Sequence, residues 1–169
     1  PFPAQIEIGS TWTAVEAGME TSFAIRSDGT LWSWGDNESG VLGTGSDPST
    51  RRLVPGQVGT GTWTSVASGS SHVLGVRSDG TLWSWGSGTA GQLGGGTTAS
   101  RSVPGQVGAD ATWSSVGAGG FHSLAVRSDG ALWGWGFSYY GPDGAGSSFW
   151  GRPRLESVEV GDGTYRATG

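Results

Sequence analysis

Apolar and polar residues alternate along this chain in short runs that restart at a fixed interval. The clearest run is Val76-Arg77-Ser78-Asp79-Gly80-Thr81-Leu82-Trp83-Ser84-Trp85-Gly86. Two counterparts run from Ile25 to Gly35 and from Val126 to Gly136, and their Asp-Gly pairs at 28, 79 and 129 are 51 and 50 residues apart. β-Branched residues before the pair and Leu-Trp-x-Trp after it predict the two strands of a hairpin. A two-residue Asp-Gly loop predicts a type I′ turn with positive φ at both positions. A repeat of about 50 residues built from short strands marks an array or a propeller.

The other elements recur at the same interval. A proline segment (Val54 to Gly59, Val103 to Gly108, with Phe2 to Ile6 as a weaker first version) precedes a Thr-Trp strand at Trp12, Trp63 and Trp113. A glycine follows at 18, 69 and 119, then the first hairpin strand. A glycine-rich loop closes the unit at Ser39 to Gly43 and at Ala90 to Gly94. Two-residue alternation puts Trp83 and Trp85 on one strand face and Leu82 with Ser84 on the other. Apolar residues on both faces require cover on both sides, which blade-on-blade stacking supplies. Each buried Trp removes roughly 150–250 Å² from water, so the tryptophans account for the core before any ligand platform is needed.

Gly-x-x-His-x-Leu-x-Val-x-x-Asp-Gly-x-Leu-Trp-x-Trp-Gly, at Gly69 to Gly86 and in closely matching form at Gly119 to Gly136, resembles the regulator of chromosome condensation repeat family. Gly91-Gln92-Leu93-Gly94 is similar to the family's other marker. The resemblance covers nearly the whole chain and implies an all-β propeller of four-stranded blades. Family members include exchange factors, chromatin binders, a plant light receptor and bacterial enzyme inhibitors, so the fold does not decide the activity. The compact repeat style resembles bacterial secreted and surface proteins and implies an extracellular or cell-surface location. Repeat one departs from the pattern at Thr21, where the others have His72 and His122, and at Val41, where repeat two has Gln92. Repeat three has Pro142-Asp143-Gly144 in place of Gln-Leu-Gly.

Composition narrows the function classes. The chain has 169 residues, 34 of them glycine, and the strict period with ten tryptophans argues against disorder. Net charge is −5 and all nine basic residues are arginine without a basic stripe, which argues against a nucleic-acid partner. Zero cysteines exclude disulfides, thiol catalysis and thiolate metal sites. No apolar run reaches the roughly 18 residues of a membrane span, and Pro1 to Ala4 do not read as a signal peptide.

Candidate chemistry is sparse. His72 and His122 occupy equivalent positions with no neighbouring nucleophile or carboxylate motif, and equivalent blades are expected to place them well apart, so they read as structural. Asp28, Asp79 and Asp129 are explained by their turns. Asp36, Glu38 and Asp47 make an oxygen-rich loop without the spacing of a calcium loop. Arg26, Arg77 and Arg127 are expected to pair with carboxylates or carbonyls at strand ends. Neither a phosphate loop nor a Gly-x-Ser-x-Gly motif with triad partners is present. The reading is no enzyme, no cofactor and no metal site.

Binding surfaces are expected in two places. Phe137, Tyr139, Tyr140, Phe149 and Trp150 are five aromatics where the repeat requires none, and they either contact a partner or fold back over the third blade's edge. Thr164-Tyr165 repeats the Thr-Trp strand a fourth time, giving repeats at 1–52, 53–102 and 103–155 and a partial one at 156–169. Three blades leave open faces, so self-association or a longer parent chain is expected, with Val158, Val160 and Tyr165 as an inter-subunit strand. The overall expectation is a partial propeller serving as a structural, self-assembling scaffold. The alternative is a recognition module for a protein or glycan partner, or an inhibitor-like or exchange-factor-like binding domain.

Overall fold

The computed structural model describes residues 2–6, 9–137 and 154–159. Eleven strands are seen among them: β1 (Trp12–Ala17), β2 (Thr21–Arg26), β3 (Thr30–Gly35), β4 (Arg52–Ser68), β5 (His72–Arg77), β6 (Leu82–Gly86), β7 (Arg101–Gln106), β8 (Trp113–Ala118), β9 (His122–Arg127), β10 (Leu132–Gly136) and β11 (Arg154–Glu159). All pair antiparallel.

They form three four-stranded blades, as the repeat pattern predicts. The 17-residue β4 serves two of them: Arg52 to Gln57 pair with β3, and Trp63 to Ser68 pair with β5. Blade one is therefore β1, β2, β3 and the first part of β4. Blade two is the second part of β4 with β5, β6 and β7, and blade three is β8 to β11.

Blade boundaries do not follow the repeat boundaries at 52/53, 102/103 and 155/156. Each proline segment is the fourth strand of the blade before it, where Gln57 pairs with Trp32 and Gln106 with Trp83. The physical reason is proline's missing N–H, which is tolerated on an edge strand. Pro55 and Pro104 lie on those edges. Each blade thus closes with residues from the next repeat, which ties neighbours together covalently.

The hairpin loops also differ from a type I′ turn. Gly29, Gly80 and Gly130 have φ of 82°, 80° and 90°, but Asp28, Asp79 and Asp129 do not have positive φ. Gly80 N donates to Arg77 O at 2.9 Å and Arg77 N to Thr81 O at 3.0 Å. This is a three-residue loop, a type I turn on Ser78-Asp79 followed by a left-handed glycine. The aspartate sets it: Asp79 Oδ1 accepts from Thr81 N at 3.0 Å and Thr81 Oγ1 at 2.6 Å. Those bonds hold its carboxyl below the usual range, the Thr81 hydroxyl contributing most, and Asp28 is lowered in the same way by Thr30.

The core lies between blades rather than within one. One cluster joins Phe23, Ile25 and Leu31 of blade one to Trp63, Val73 and Trp85 of blade two. A second joins Leu74, Val76 and Leu82 of blade two to Trp113, Trp133 and Trp135 of blade three. The Leu face of each hairpin therefore packs on the Trp face of the blade that follows.

Candidate functional site

The recurring site of this fold is the joint between blades. Trp85 and Trp135 are fully buried, and their indole N–H groups donate to Val41 O at 2.7 Å and Gln92 O at 2.8 Å in the preceding blade's glycine-rich loop. Those loops are shaped for the ring: a Cβ on Gly43 would stand 2.7 Å from Trp85 Nε1, and one on Gly94 2.8 Å from Trp135 Nε1. Ser33 and Ser84 hold the same loops by donating to Leu42 O and Leu93 O, both at 2.8 Å. Where repeat one lacks Gln92's counterpart, buried Asn37 supports the loop by accepting from Leu42 N at 3.0 Å.

His72 and His122 prove to be neighbours, not well apart. His72 is buried at the joint of blades two and three, 2.9 Å from Ser123 Oγ through Nε2. Ser123 Oγ donates to Gln92 O at 2.7 Å, so its proton is committed and His72 must donate from Nε2. The ring is neutral: burial, then the nearby His122, pushes its pKa down to about 4. Blades side by side bring equivalent residues of consecutive strands together, which the expectation of separate positions overlooked.

The three arginines stack on tryptophans. Arg77 Cζ lies 3.6 Å from the Trp83 ring centroid and 5.1 Å from that of Trp63, the two rings meeting edge-on at 6.3 Å. Arg26 with Trp12 and Trp32, and Arg127 with Trp113 and Trp133, repeat the arrangement. Arg127 also pairs with Asp110. A guanidinium is weakly hydrated and planar, so a half-buried aromatic face holds it well.

Of the aromatic surface expected at 137–150, Phe137 is half-buried and its N–H donates to Phe121 O at 2.8 Å. Tyr139, Tyr140, Phe149 and Trp150 lie outside the described residues, as do Val160 and Tyr165. Val158 sits opposite Gly134 within its own chain, on blade three's edge strand. Asp36 pairs with Arg51 at 3.8 Å, and among the described residues no three of His, Asp or Glu gather as a metal site would require.

Two further surfaces stand out, the first of them the open blade face expected from the repeat count and the second not legible in the sequence. Blade one leaves Trp12 and Trp34 half-buried where the other blades bury Trp63, Trp85, Trp113 and Trp135, while Trp32 is half-buried like Trp83. A groove of about 410 Å³ lies there among Ile6, Trp12, Ser22, Ala24 and Trp34. On the outer strands, Leu53, Val54 and Val103 are 83%, 67% and 50% exposed.

Comparison with known proteins fits this geometry. The family described as Regulator of chromosome condensation (RCC1) repeat matches residues 28–76 and 79–126, and a second description of that repeat matches 12–41, 63–92 and 113–141. The chain belongs to the RCC1 repeat family. Human E3 ubiquitin-protein ligase HERC2 is 37% identical over 97 residues, 56% of this chain and 2% of that protein. Ultraviolet-B receptor UVR8 of Arabidopsis thaliana is 33% identical over 110 residues, 63% of this chain and 24% of that protein. The solved structure of Prp20p from Saccharomyces cerevisiae superposes with a TM-score of 0.76 at 23% identity, over 89% of this chain and 38% of that one. This RCC1-repeat chain thus spans well under half the length of these relatives, and its fold is that of an RCC1-like propeller segment.

Proposed function

We propose that this chain is a non-enzymatic, protein-binding part of an RCC1-like propeller. The observation that carries the reading is the exposed apolar pair Leu53-Val54 and its counterpart Val103 on the outer strands of two consecutive blades. Apolar side chains repeated along exposed strand edges are suited to a protein surface. Support by likeness comes from Prp20, which has been solved bound to Kap60 and whose structure was described together with its binding to Gsp1p and histones. The extracellular setting expected from the repeat style belongs to the proposal as well.

Photo-crosslinkers at positions 53, 54 and 103 test it, with protein and oligosaccharide fractions offered separately. The reading predicts protein adducts that disappear when the chain is unfolded first. Adducts with oligosaccharide alone, or none, would contradict it.

A second reading, self-association, is favoured by the half-buried Trp face of blade one. Sedimentation velocity over a concentration series tests it: association that grows with concentration supports it, and a monomer throughout opposes it.

A further inference from the structure

The strand that closes blade one begins at Arg52, and the one that closes blade two begins at Arg101. The two arginines share a register: Arg52 pairs with Gly35 and Arg101 with Gly86. Each lies over a glycine of its own strand, since a Cβ on Gly56 would collide with the Arg52 guanidinium and one on Gly105 with that of Arg101. Their loops differ. Arg101 follows Gly94 by seven positions, and Arg52 follows Gly43 by nine. In the shorter loop Arg101 Nη2 donates to buried Ser84 Oγ at 3.3 Å, and a Cβ on Gly95 would stand 3.1 Å from that nitrogen. Repeat one has Thr44 at the position of Gly95, where a side chain crowds an arginine placed as Arg101 is.

The longer loop encloses a pocket of about 350 Å³ lined by Leu42, Thr44, Ser46, Thr50 and Arg52. These residues belong to one loop and the strand that follows it, so the pocket is built within blade one. Its polar lining is rich in donors. Among the described residues, neither the Arg52 guanidinium nor the Thr50 hydroxyl has a hydrogen-bond or ion-pair partner. Thr44 Oγ1 and Ser46 Oγ are 2.7 Å apart, one donating to the other, and Ser46 Oγ also accepts from Asn37 Nδ2 at 3.3 Å. Whichever donates, one hydroxyl hydrogen of that pair is left over. No carboxylate is among the lining residues. Asp47 Oδ1 accepts from Ser49 N at 2.8 Å and Ser49 Oγ at 2.7 Å, and Asp36 pairs with Arg51 at 3.8 Å.

We infer that this pocket binds a phosphate-type oxyanion, with Arg52 supplying the charge and its N–H groups, and Thr50 and the Thr44–Ser46 pair donating from their hydroxyls. Donors from both halves of the loop and from the strand suit a tetrahedral group better than a planar carboxylate. Arg52 is held over Gly56 before the anion arrives, which lowers the cost of ordering it. With a net charge of −5 the chain adds no long-range attraction, so affinity is modest, with a Kd on the order of 1 mM. The site is independent of the protein-binding and self-association readings.

An NMR titration of the isotope-labelled full chain at constant ionic strength tests it, with inorganic phosphate, acetate and an otherwise uncharged phosphoserine peptide as probes. Phosphate is expected to shift the Thr44, Ser46 and Thr50 amides and Arg52 Nε saturably, with acetate bound about tenfold more weakly. Arg52→Gln should weaken phosphate binding about tenfold and Thr50→Val about threefold. Thr50→Val keeps the side chain's shape, so it reads the site even where loss of Arg52 disturbs the strand. Arg51→Gln removes the same charge one residue away and should change the Kd less than about twofold, because that exposed charge is screened. Tighter binding of the phosphopeptide assigns the group to a partner chain, and equal or weaker binding assigns it to the free ion; either result upholds the site. Shifts that do not saturate, acetate bound as tightly as phosphate, or an Arg51→Gln effect equal to that of Arg52→Gln overturn it.

Discussion

His72 Nε2 lies 2.9 Å from Ser123 Oγ, and that serine's own proton goes to Gln92 O, the carbonyl that also accepts from Trp135. One carbonyl therefore gathers two donors from the following blade while belonging to the preceding one. The neutral histidine completes the chain of bonds, and among the described residues its buried Nδ1 has no partner. Burial, and then the nearby His122, outweigh the His122 backbone contact that favours a second proton on this ring.

Acid should therefore loosen this joint. The His72 pKa is about 4 folded against an ordinary 6.5, so the unfolded chain binds the extra proton first as pH falls. Stability is full above about 6.5, declines as pH drops toward 4, and the total loss approaches about 3 kcal/mol. Urea melts between pH 7 and pH 4.5 check this, with His72→Thr flattening the dependence. The turn carboxylates Asp28 and Asp79, held low by Thr30 and Thr81, act only at lower pH, below their ordinary 3.8.

Repeat three lacks one link of the turn. In repeats one and two, the threonine hydroxyl that donates to Asp also accepts from Trp32 Nε1 at 2.9 Å or Trp83 Nε1 at 2.8 Å. Ala131 stands in that place, and among the described residues the buried Trp133 Nε1 has no partner. Ala131→Thr should stabilise the chain by about 1 kcal/mol, read as a higher urea midpoint at unchanged slope. No gain would mean that the relay is incidental.

The turn glycines should rank in a definite order. All three need positive φ, which costs a substituted Ala about 1 kcal/mol. A Cβ on Gly80 would also collide with the Ala111 carbonyl, one on Gly29 would stand 3.0 Å from Thr62 Cβ, and one on Gly130 meets nothing within 4 Å. Melts of the three Gly→Ala variants should show Gly80 worst and Gly130 mildest.

Much of this was legible and some was not. The strands, hairpins and two-faced core follow from alternation and period, because Leu82 and Trp83 must point opposite ways on a pleated strand. The turn type was missed because the Asx contact from Asp28 to Thr30 competes with the Asp-Gly preference and wins. The blade boundary was missed because pairing of Gln57 with Trp32 is a long-range choice that no local pattern records. Arg77 over Trp83 could have been found: the two lie on one face across the hairpin by alternation alone.

The arginine stacks should behave unlike ion pairs. Replacing Arg77 with Ala removes cation–π contact and stem packing, at a cost of about 1–2 kcal/mol that changes little with salt. Arg127 adds a contact to Asp110, whose side chain is 56% exposed, so part of its cost should fade as salt rises. Double-mutant cycles for Arg77/Trp83 and Arg127/Asp110 at low and high salt separate the two.

The joints between blades are held where an indole N–H reaches the preceding blade's loop. Trp34, Trp85 and Trp135 occupy one repeat position, and among the described residues Trp85 and Trp135 have that carbonyl, at 2.7 and 2.8 Å. Urea denaturation of the three Trp→Phe variants, at concentrations low enough to keep the chain monomeric, measures it directly. Trp85→Phe and Trp135→Phe should each lose about 1–3 kcal/mol, and Trp34→Phe about 0.5 kcal/mol or less. A loss at Trp34 equal to that at Trp85, or none at Trp85 and Trp135, would contradict the account.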